Sequence, residues 1–299
     1  MLAERYGFAN AAQRGYQNLG ATLLRHGNEA DRRLVHEEAV AHARRHGMRP
    51  TMQLNRELGF AFQDGDWDKA FQIAEDEQDD TIWSAAREVQ AAVIVAAREG
   101  PERALHRIEE PWRRLLAARD PQWVVMAVVA ATVPYLAGDH RRALELCGPM
   151  VPLFDLPVMA FPHFSDPAIV MALLAAHRGG DAAAFERWAA FAAGTRDDDR
   201  MLMAADVAEA LALARDGGAP RAAAALAAAA ERFAGQGIVT SSIALLREFA
   251  ADLFVDGGDP AQASAAIAPL VRWLRLGKGQ WYLRRIETWA AERGVTLSD

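Results

Sequence analysis

The hydrophobic positions of this chain recur with helical spacing, in segments that end at glycine. Seven times a glycine closes one amphipathic segment and a second such segment begins within two residues. Glycine adopts the left-handed conformation that ends a helix, and Asp or Asn accepts the exposed N–H groups of the next helix. Proline is tolerated at a helix start, where its missing donor costs nothing. The seven turns are Gly27-Asn28, Gly65-Asp66, Gly100-Pro101, Gly138-Asp139, Gly180-Asp181, Gly218-Ala219 and Gly258-Asp259.

The spacing of these turns predicts the architecture. Successive glycines lie 35 to 42 residues apart, and a period of this size is typical of stacked helical hairpins that bury their apolar faces against neighbouring hairpins. No segment alternates apolar and polar residues over the length of a strand, so we expect essentially no sheet. The pattern predicts an all-α superhelical solenoid of about seven antiparallel helix pairs, followed by a capping helix at residues 279–293.

One proline-rich segment interrupts the helical pattern. Pro157, Pro162 and Pro167 are spaced through an apolar stretch, and proline removes the N–H donors that a helix needs. We expect a loop over residues 155–167. It would separate four N-terminal pairs in residues 1–154 from the remaining pairs and the cap in residues 168–299, within one continuous solenoid.

Charge and composition narrow the function classes. The net charge is −7, whereas a nucleic-acid surface needs a basic stripe. Cys147 is the single cysteine of the chain, so no intrachain disulfide can form and a reducing compartment, the cytoplasm, is expected. Residues 121–138 carry no charge, but Gln122, Thr132 and Pro134 interrupt them and they coincide with the first helix of the fourth pair. We expect this segment to be buried in the protein and not inserted in a membrane.

Candidate catalytic and metal-binding groups are weak. Glu38, His42 and His46 follow the i, i+4, i+8 spacing of one helix face, which could hold a metal, but no nearby residue supplies a clear further ligand. No nucleophile, base and oxyanion donors converge in the sequence, as catalysis would require. We therefore expect no enzyme activity, no metal and no cofactor.

Two segments resemble halves of a tetratricopeptide repeat. The first is Tyr16-Gln17-Asn18-Leu19-Gly20 with Leu23 and Gly27, and the second is Gly65-Asp66-Trp67-Asp68-Lys69-Ala70. Residues 1–80 are similar to the degenerate repeats of large bacterial signalling proteins, in which such an array follows an ATPase module and a nucleotide cyclase or LuxR-type DNA-binding domain. The resemblance implies a right-handed superhelix in signalling or transcription regulation. Its partner would be a protein or peptide segment, or a neighbouring ATPase or cyclase domain.

The start of the chain leaves two interpretations open. Residues 2–8 are similar to the ends of second helices at residues 43–48 and 229–233. Such a start is expected either for the close of a helix that begins earlier in a longer regulator or for a frayed N-terminal tail.

In repeats of this kind the first helices line the concave surface. Alignment of each first helix on its closing glycine places five polar residues of the first three pairs at inward positions, and then apolar residues in pairs four to six. The polar residues are Arg14, Gln17, Asn55, Arg87 and Gln90; the apolar ones are Val125, Val128, Val170, Leu174, Ala205 and Ala208.

This polar track suggests how a ligand would be held. By resemblance, peptide-binding repeats use Arg, Asn and Gln to bind backbone amides and carboxylates, so an acidic tail would suit the two arginines. We expect a non-catalytic scaffold for protein–protein or interdomain interaction. The alternatives are a small-molecule sensor domain of an ATPase-linked regulator, or side chains that are simply solvated.

Overall fold

The protein is all-helical over the residues that its computed structural model describes: 8–25, 29–48, 51–76, 82–153, 162–194, 203–234 and 241–297. No strand occurs in these ranges. The helices of the first three pairs are α1 Ala9–Arg25, α2 Glu29–Arg45, α3 Thr51–Gln63, α4 Trp67–Asp76, α5 Ile82–Glu99 and α6 Pro101–Ala117. Next come α7 Pro121–Ala127, α8 Thr132–Leu136, α9 His140–Cys147, α10 Pro162–Arg178 and α11 Ala182–Gly194. The last are α12 Ala204–Arg215, α13 Ala219–Ala234, α14 Ser241–Asp256, α15 Pro260–Leu276 and α16 Gln280–Arg293.

The glycine turns behave as the sequence predicts, with one shift. Gly138, Gly180 and Gly258 have positive φ, and the N–H after each bonds to a carbonyl five residues back. Asp139, Asp181 and Asp259 then accept an N–H of the following helix. At the sixth turn Gly217, not Gly218, takes the left-handed conformation, and Gly218 supplies the N–H to Leu213. The expected turn at Gly27 lies outside the described residues.

Proline breaks the fourth pair where a continuous helix was predicted. A 3₁₀ segment, Val128–Ala131, separates α7 from α8. Pro134 has no N–H to donate to the carbonyl of Ala130, so the α-helical ladder cannot run through this point. The second helix of the pair likewise ends at Cys147 and continues as a 3₁₀ segment, Gly148–Leu153, which contains Pro149 and Pro152.

The loop predicted over residues 155–167 is wrong for its last six residues. We expected it to run to Pro167, but α10 already begins at Pro162, while residues 154–161 lie outside the described residues. Asp166, in the second turn of this helix, contacts the next helix of the array. Its carboxylate accepts N–H groups of Met203 and Ala204 at 2.9 and 2.8 Å, so it caps the start of α12.

The helices pack in sequence-adjacent pairs, and the end of the chain also contacts its early part. α16 lies against α5, and Arg98 of α5 donates to the carbonyl of Gly277 at 2.9 Å. Lys278 and Arg98 both form ion pairs with Asp68. These contacts place the turn between α15 and α16 against the second and third pairs.

Candidate functional site

The predicted polar track does not form a row of accessible side chains. Arg87 is only 1% exposed, and its Nη1 donates to Oδ1 of Asn55 at 3.1 Å. Asn55 in turn donates through Nδ2 to the carbonyl of Trp83 at 3.4 Å. Two of the expected ligand-binding side chains are therefore internal partners of each other.

The other three residues of the predicted track are more exposed than Asn55 and Arg87 or differ from them in their contacts. Arg14 is exposed, and Gln17 and Gln90 are half-buried. The backbone carbonyl of Gln17 accepts from Nη2 of Arg56 at 2.9 Å, so α3 is tied to α1 at this point. Of the five predicted residues, the structure brings only Asn55 and Arg87 into contact with each other. Their positions do not indicate that any of the five binds a ligand.

The apolar half of the predicted track is covered by the protein itself. All six of its residues in pairs four to six are buried. α14 packs on α10, where Ser242 Oγ donates to the carbonyl of Pro167 at 2.8 Å and Phe249 contacts His177 edge-on. A helix that is apolar on nearly all sides has to be covered on all sides, and α10 is buried continuously from Ala168 to Ala176.

A network of polar side chains joins four helices that are distant in sequence. We call it the Arg178 cluster, and its members are Tyr135, Arg178, Glu248, Asp252, Tyr282 and Arg285. Arg178 forms an ion pair with Asp252, and Arg285 forms one with Glu248. These residues come from α8, α10, α14 and α16, which are distant in sequence.

The charges of the Arg178 cluster are satisfied internally. Tyr282 donates to Glu248 at 2.5 Å, and Tyr135 bonds to Arg178. Burial raises the pKa of Tyr135 to about 12, so its hydroxyl stays protonated at neutral pH. Both arginines have a carboxylate partner, so the cluster joins helices, although Nε of Arg285 is buried without a hydrogen-bond partner.

A cleft that sequence reasoning missed lies between the first and second pairs. It has a volume of about 400 Å³ and is bounded by α2, α3 and the start of α4. We call it the His36 cleft. α2 contributes Arg33, His36, Glu37, Val40, Ala41 and Arg44. The opposite wall and floor are Glu57, Phe60, Ala61, Asp64, Asp66 and Lys69.

Most charges along the His36 cleft are paired across it or along one wall. Arg33 binds Asp64 with both terminal nitrogens at 2.8 Å, and it also contacts Glu29 at 3.0 Å. Lys69 pairs with Glu57 at 3.0 Å. The Arg33–Asp64 bridge connects α2 to the end of α3, so it helps hold the first pair in place.

His36 is the buried polar side chain on the α2 wall of the cleft. It is 6% exposed and meets the ring of Phe60 edge-on at 5.2 Å. Its Nδ1 is buried and has no hydrogen-bond partner. Burial lowers the pKa of His36 to about 4, which leaves the imidazole neutral at pH 7.

A weak signal for this cleft exists in α2. The side chains that this helix buries are two histidines and two alanines: His36, Ala39, His42 and Ala43. Of these four, only His36 lines the cleft; the rest of its α2 wall consists of charged or small side chains, which leave a gap where large apolar side chains would close it. Without the position of α3, the sequence does not say where the gap lies.

The candidate metal face on α2 and the single cysteine can be placed in the structure. His42, from the predicted Glu38–His42–His46 face, is fully buried and its Nε2 contacts the carbonyl of Ala9 at 3.0 Å. Over the described ranges, no group of three or more His, Cys, Asp or Glu side chains is arranged to hold a metal ion. Cys147 is buried, and burial raises the pKa of its thiol.

Comparison with known proteins adds no family to this picture. No protein-family model matches the chain, and no curated protein or solved structure shows significant similarity to it. Among the helices that the structure describes, none combines the length and the apolar character that a bilayer-spanning segment requires. The fold therefore assigns the protein only to a broad class: all-helical proteins whose helices pack in sequence-adjacent pairs.

Proposed function

We propose that this protein is a non-catalytic helical-repeat scaffold that binds a protein segment or a neighbouring domain in signalling or transcription regulation. We also propose a right-handed superhelix of about seven antiparallel pairs, and a cytoplasmic location. The pairwise packing of the helices supports the architecture. The tetratricopeptide resemblance of residues 1–80 supports the role.

The observation that carries the proposal is the contrast between two surfaces. The inner face of the central pairs is filled by buried helices and by the Arg178 cluster, whereas the His36 cleft is rimmed by exposed side chains such as Glu37, Arg44 and Asp66. Binding is therefore best placed at the cleft between the first two pairs.

A size-matched substitution tests this placement. Ala41 lines the cleft and is half-buried, while Ala30 is exposed on the same helix and does not line it. Ala41→Trp should fill the cleft, and Ala30→Trp adds the same side chain outside it. Affinity capture from lysate of the source cell, with crosslinking, should recover a partner with the wild type and with Ala30→Trp but not with Ala41→Trp.

Thermal unfolding of both variants serves as the folding control. If Ala41→Trp keeps its folded helix content and still captures the same proteins as the wild type, the cleft is not the binding surface and the placement is wrong. Failure of all three proteins to capture any partner would count against the scaffold role itself.

A small-molecule sensor remains the second candidate because of the cleft's size. A volume of about 400 Å³ lies within the range of ligand pockets. Such pockets are predominantly apolar, however, and the rim of this cleft is mostly charged. Stabilisation of the wild type, but not of Ala41→Trp, by a cellular metabolite in a thermal-shift screen would favour the sensor.

A further inference from the structure

A second groove, lined mainly by apolar residues, lies where the last helix pair meets the end of α3. We call it the Trp273 groove, and it has a volume of about 240 Å³. Its buried apolar lining comes from α14 and α15 and consists of Ile243, Ala244, Leu270 and Trp273. Leu276 also lines it and is 66% exposed, so the apolar surface continues out of the groove.

The size of the Trp273 groove limits what it can hold. Pockets for small molecules and cofactors usually have volumes of about 300–1,000 Å³, and this groove is smaller. It suits one large apolar side chain, which gains free energy by leaving water. Because the apolar surface extends over Leu276, the rest of the ligand would lie along the outside of the protein. A protein segment with a single apolar anchor therefore fits the groove better than a cofactor.

The charge that lines the Trp273 groove is positive when the partners of each charged residue are counted. Asp64 is neutralised by Arg33, which donates to it with both terminal nitrogens at 2.8 Å. Arg247 is 4% exposed, and its Nη1 donates to Glu231 at 2.8 Å. Arg272 is exposed and forms no ion pair with a residue that the structure describes. The pKa of Glu231 is lowered by the hydrogen bond and charge of Arg247 and also by the charge of Arg272, so two guanidinium groups share one carboxylate.

The surrounding surface does not cancel this positive charge. In the turn after α15, Lys278 and Arg98 both pair with Asp68, so two cations again share one carboxylate. The extra cation there offsets Asp66, whose carboxylate lines the His36 cleft and accepts the N–H of Lys69. Residues 260–286 contain five arginine and lysine residues and no aspartate or glutamate, in a chain of net charge −7. The last pair and the start of the cap thus form a basic surface on an acidic protein.

We propose that the Trp273 groove binds an acidic segment of a partner protein, which inserts one large apolar side chain against Trp273 and places a carboxylate beside Arg272. Arginine can hold a carboxylate through two parallel N–H donors, and charge complementarity selects acidic over basic segments. The groove adjoins the His36 cleft only at Asp64, and binding in it goes beyond the proposed function because it does not require binding at the cleft. The acidic partner predicted for the polar track is thereby assigned to different helices.

Short peptide probes test the chemistry of the partner. The full chain, labelled with deuterium and nitrogen-15, is titrated with acetyl-Ala-Leu-Glu-Ala-amide and with two matched peptides, one with lysine in place of glutamate and one with alanine in place of leucine. The glutamate probe should shift the amide resonances of residues 243–247 and 269–276 saturably. Each of the other two peptides should bind at least about fivefold more weakly, because one brings a like charge to Arg272 and the other lacks the apolar anchor.

A charge reversal with a matched control separates the groove from the basic surface as a whole. Arg272→Glu reverses a cation that lines the groove, whereas Arg284→Glu makes the same change at an exposed position of α16 that does not line it. The glutamate probe should bind roughly tenfold more weakly to Arg272→Glu and within about twofold of wild type to Arg284→Glu. Arg272→Glu should in turn prefer the lysine probe, a reversal that a loss of structure would not produce.

Four results of the titrations would overturn the proposal: no saturable binding of the glutamate probe at millimolar concentration, equal affinity for the three peptides, equal weakening by both variants, or shifts confined to other residues. Light scattering that shows a dimer for the wild type and a monomer for Arg272→Glu would also overturn it, because a second copy of the chain would then occupy the groove.

The failure of this proposal can be distinguished from the failure of the proposed function. Ala41→Trp, which fills the His36 cleft, should leave the affinity for the glutamate probe unchanged, and loss of that affinity would show that the groove is not a separate surface. If a captured partner depends on Ala41 while the glutamate probe does not bind, the scaffold at the cleft stands and the acidic segment is wrong. If the probe binds but no partner is captured, the groove chemistry stands and the scaffold role fails.

Discussion

Trp67 and Trp273 donate their indole N–H groups to the same acceptor, the carbonyl oxygen of Phe62, at 3.1 and 2.9 Å. The two rings meet edge-on with centroids 4.8 Å apart, and the ring of Trp67 stacks on that of Phe62. Trp273 lies 211 residues after Phe62 along the chain. One carbonyl at the end of α3 thus accepts from its own helix pair and from the last pair.

Truncation of Trp67 should destabilise the whole protein. Its ring is 1% exposed and packs against both Phe62 and Trp273, so Trp67→Ala leaves a large cavity and removes a donor. We expect the free energy of unfolding in urea to fall by about 3–5 kcal/mol. Trp112→Ala, at a half-buried position on α6, should cost clearly less. A loss below about 1 kcal/mol for Trp67→Ala would contradict the packing.

A pair of glycine substitutions tests the contact between the ends of the chain. A Cβ at Gly277 would lie 2.2 Å from the indole of Trp67, although its φ of −77° suits any residue. Gly277→Ala should therefore destabilise by about 1–3 kcal/mol through overpacking. Gly59 lies within α3 and a Cβ there meets nothing within 4 Å, so Gly59→Ala should stabilise by about 0.5–1 kcal/mol.

Urea unfolding followed by circular dichroism measures both glycine variants under the same conditions. Opposite signs are the expected result. If Gly277→Ala were neutral or stabilising, α15 and the turn after it could not lie against Trp67 as closely as the structure places them.

The turns and the helix pairs could be predicted from sequence because their causes are local. Gly138, Gly180 and Gly258 end helices through their own conformation, and the aspartate after each caps the next helix. The shift from Gly218 to Gly217 is a one-residue ambiguity of a Gly-Gly pair, in which either residue can adopt positive φ.

The binding surface could not be predicted in the same way because its causes are long-range. Alignment on the closing glycine gives the direction of Arg87 on its own helix, but not that Asn55 of the preceding pair would bind it. The same alignment says nothing of α14 covering α10, or of Trp273 reaching Phe62. The His36 cleft depends on the distance between α2 and α3, which no local pattern encodes.

Arg87 should therefore contribute to stability. Arg87→Ala leaves the side chain of Asn55 without this donor and leaves a cavity beside α5. We therefore expect the free energy of unfolding to fall by about 1–3 kcal/mol. Arg14→Ala, at an exposed position, should stay within about 0.5 kcal/mol of wild type. A stable Arg87→Ala protein that has lost binding to a captured partner would restore the polar track.

His36, which is buried, and His177, which is half-buried, should make the protein acid-sensitive. Burial lowers the pKa of both His36 and His177 from the ordinary 6.5 to about 4. A lowered histidine pKa means that the folded state holds the neutral form, so the stability that it contributes is present above pH 6.5 and lost as the pH falls towards 4. Asp166 acts in the opposite direction, since burial raises its pKa to about 6 and its contribution is lost as the pH rises through 6.

The effect of the two histidines should be measurable as the slope of the free energy of unfolding against pH. Between pH 7 and pH 5 we expect the free energy of unfolding to fall by on the order of 1 kcal/mol for each histidine, after allowance for partial exposure. His36→Gln and His177→Gln cannot take up a proton, so each should flatten the pH dependence, and the double variant should flatten it further. Asp166→Asn should steepen the fall on acidification, because it removes the group that gains stability at low pH. A wild-type stability that is constant or rises from pH 7 to pH 5, with no change in the histidine variants, would show that neither imidazole is held neutral by burial.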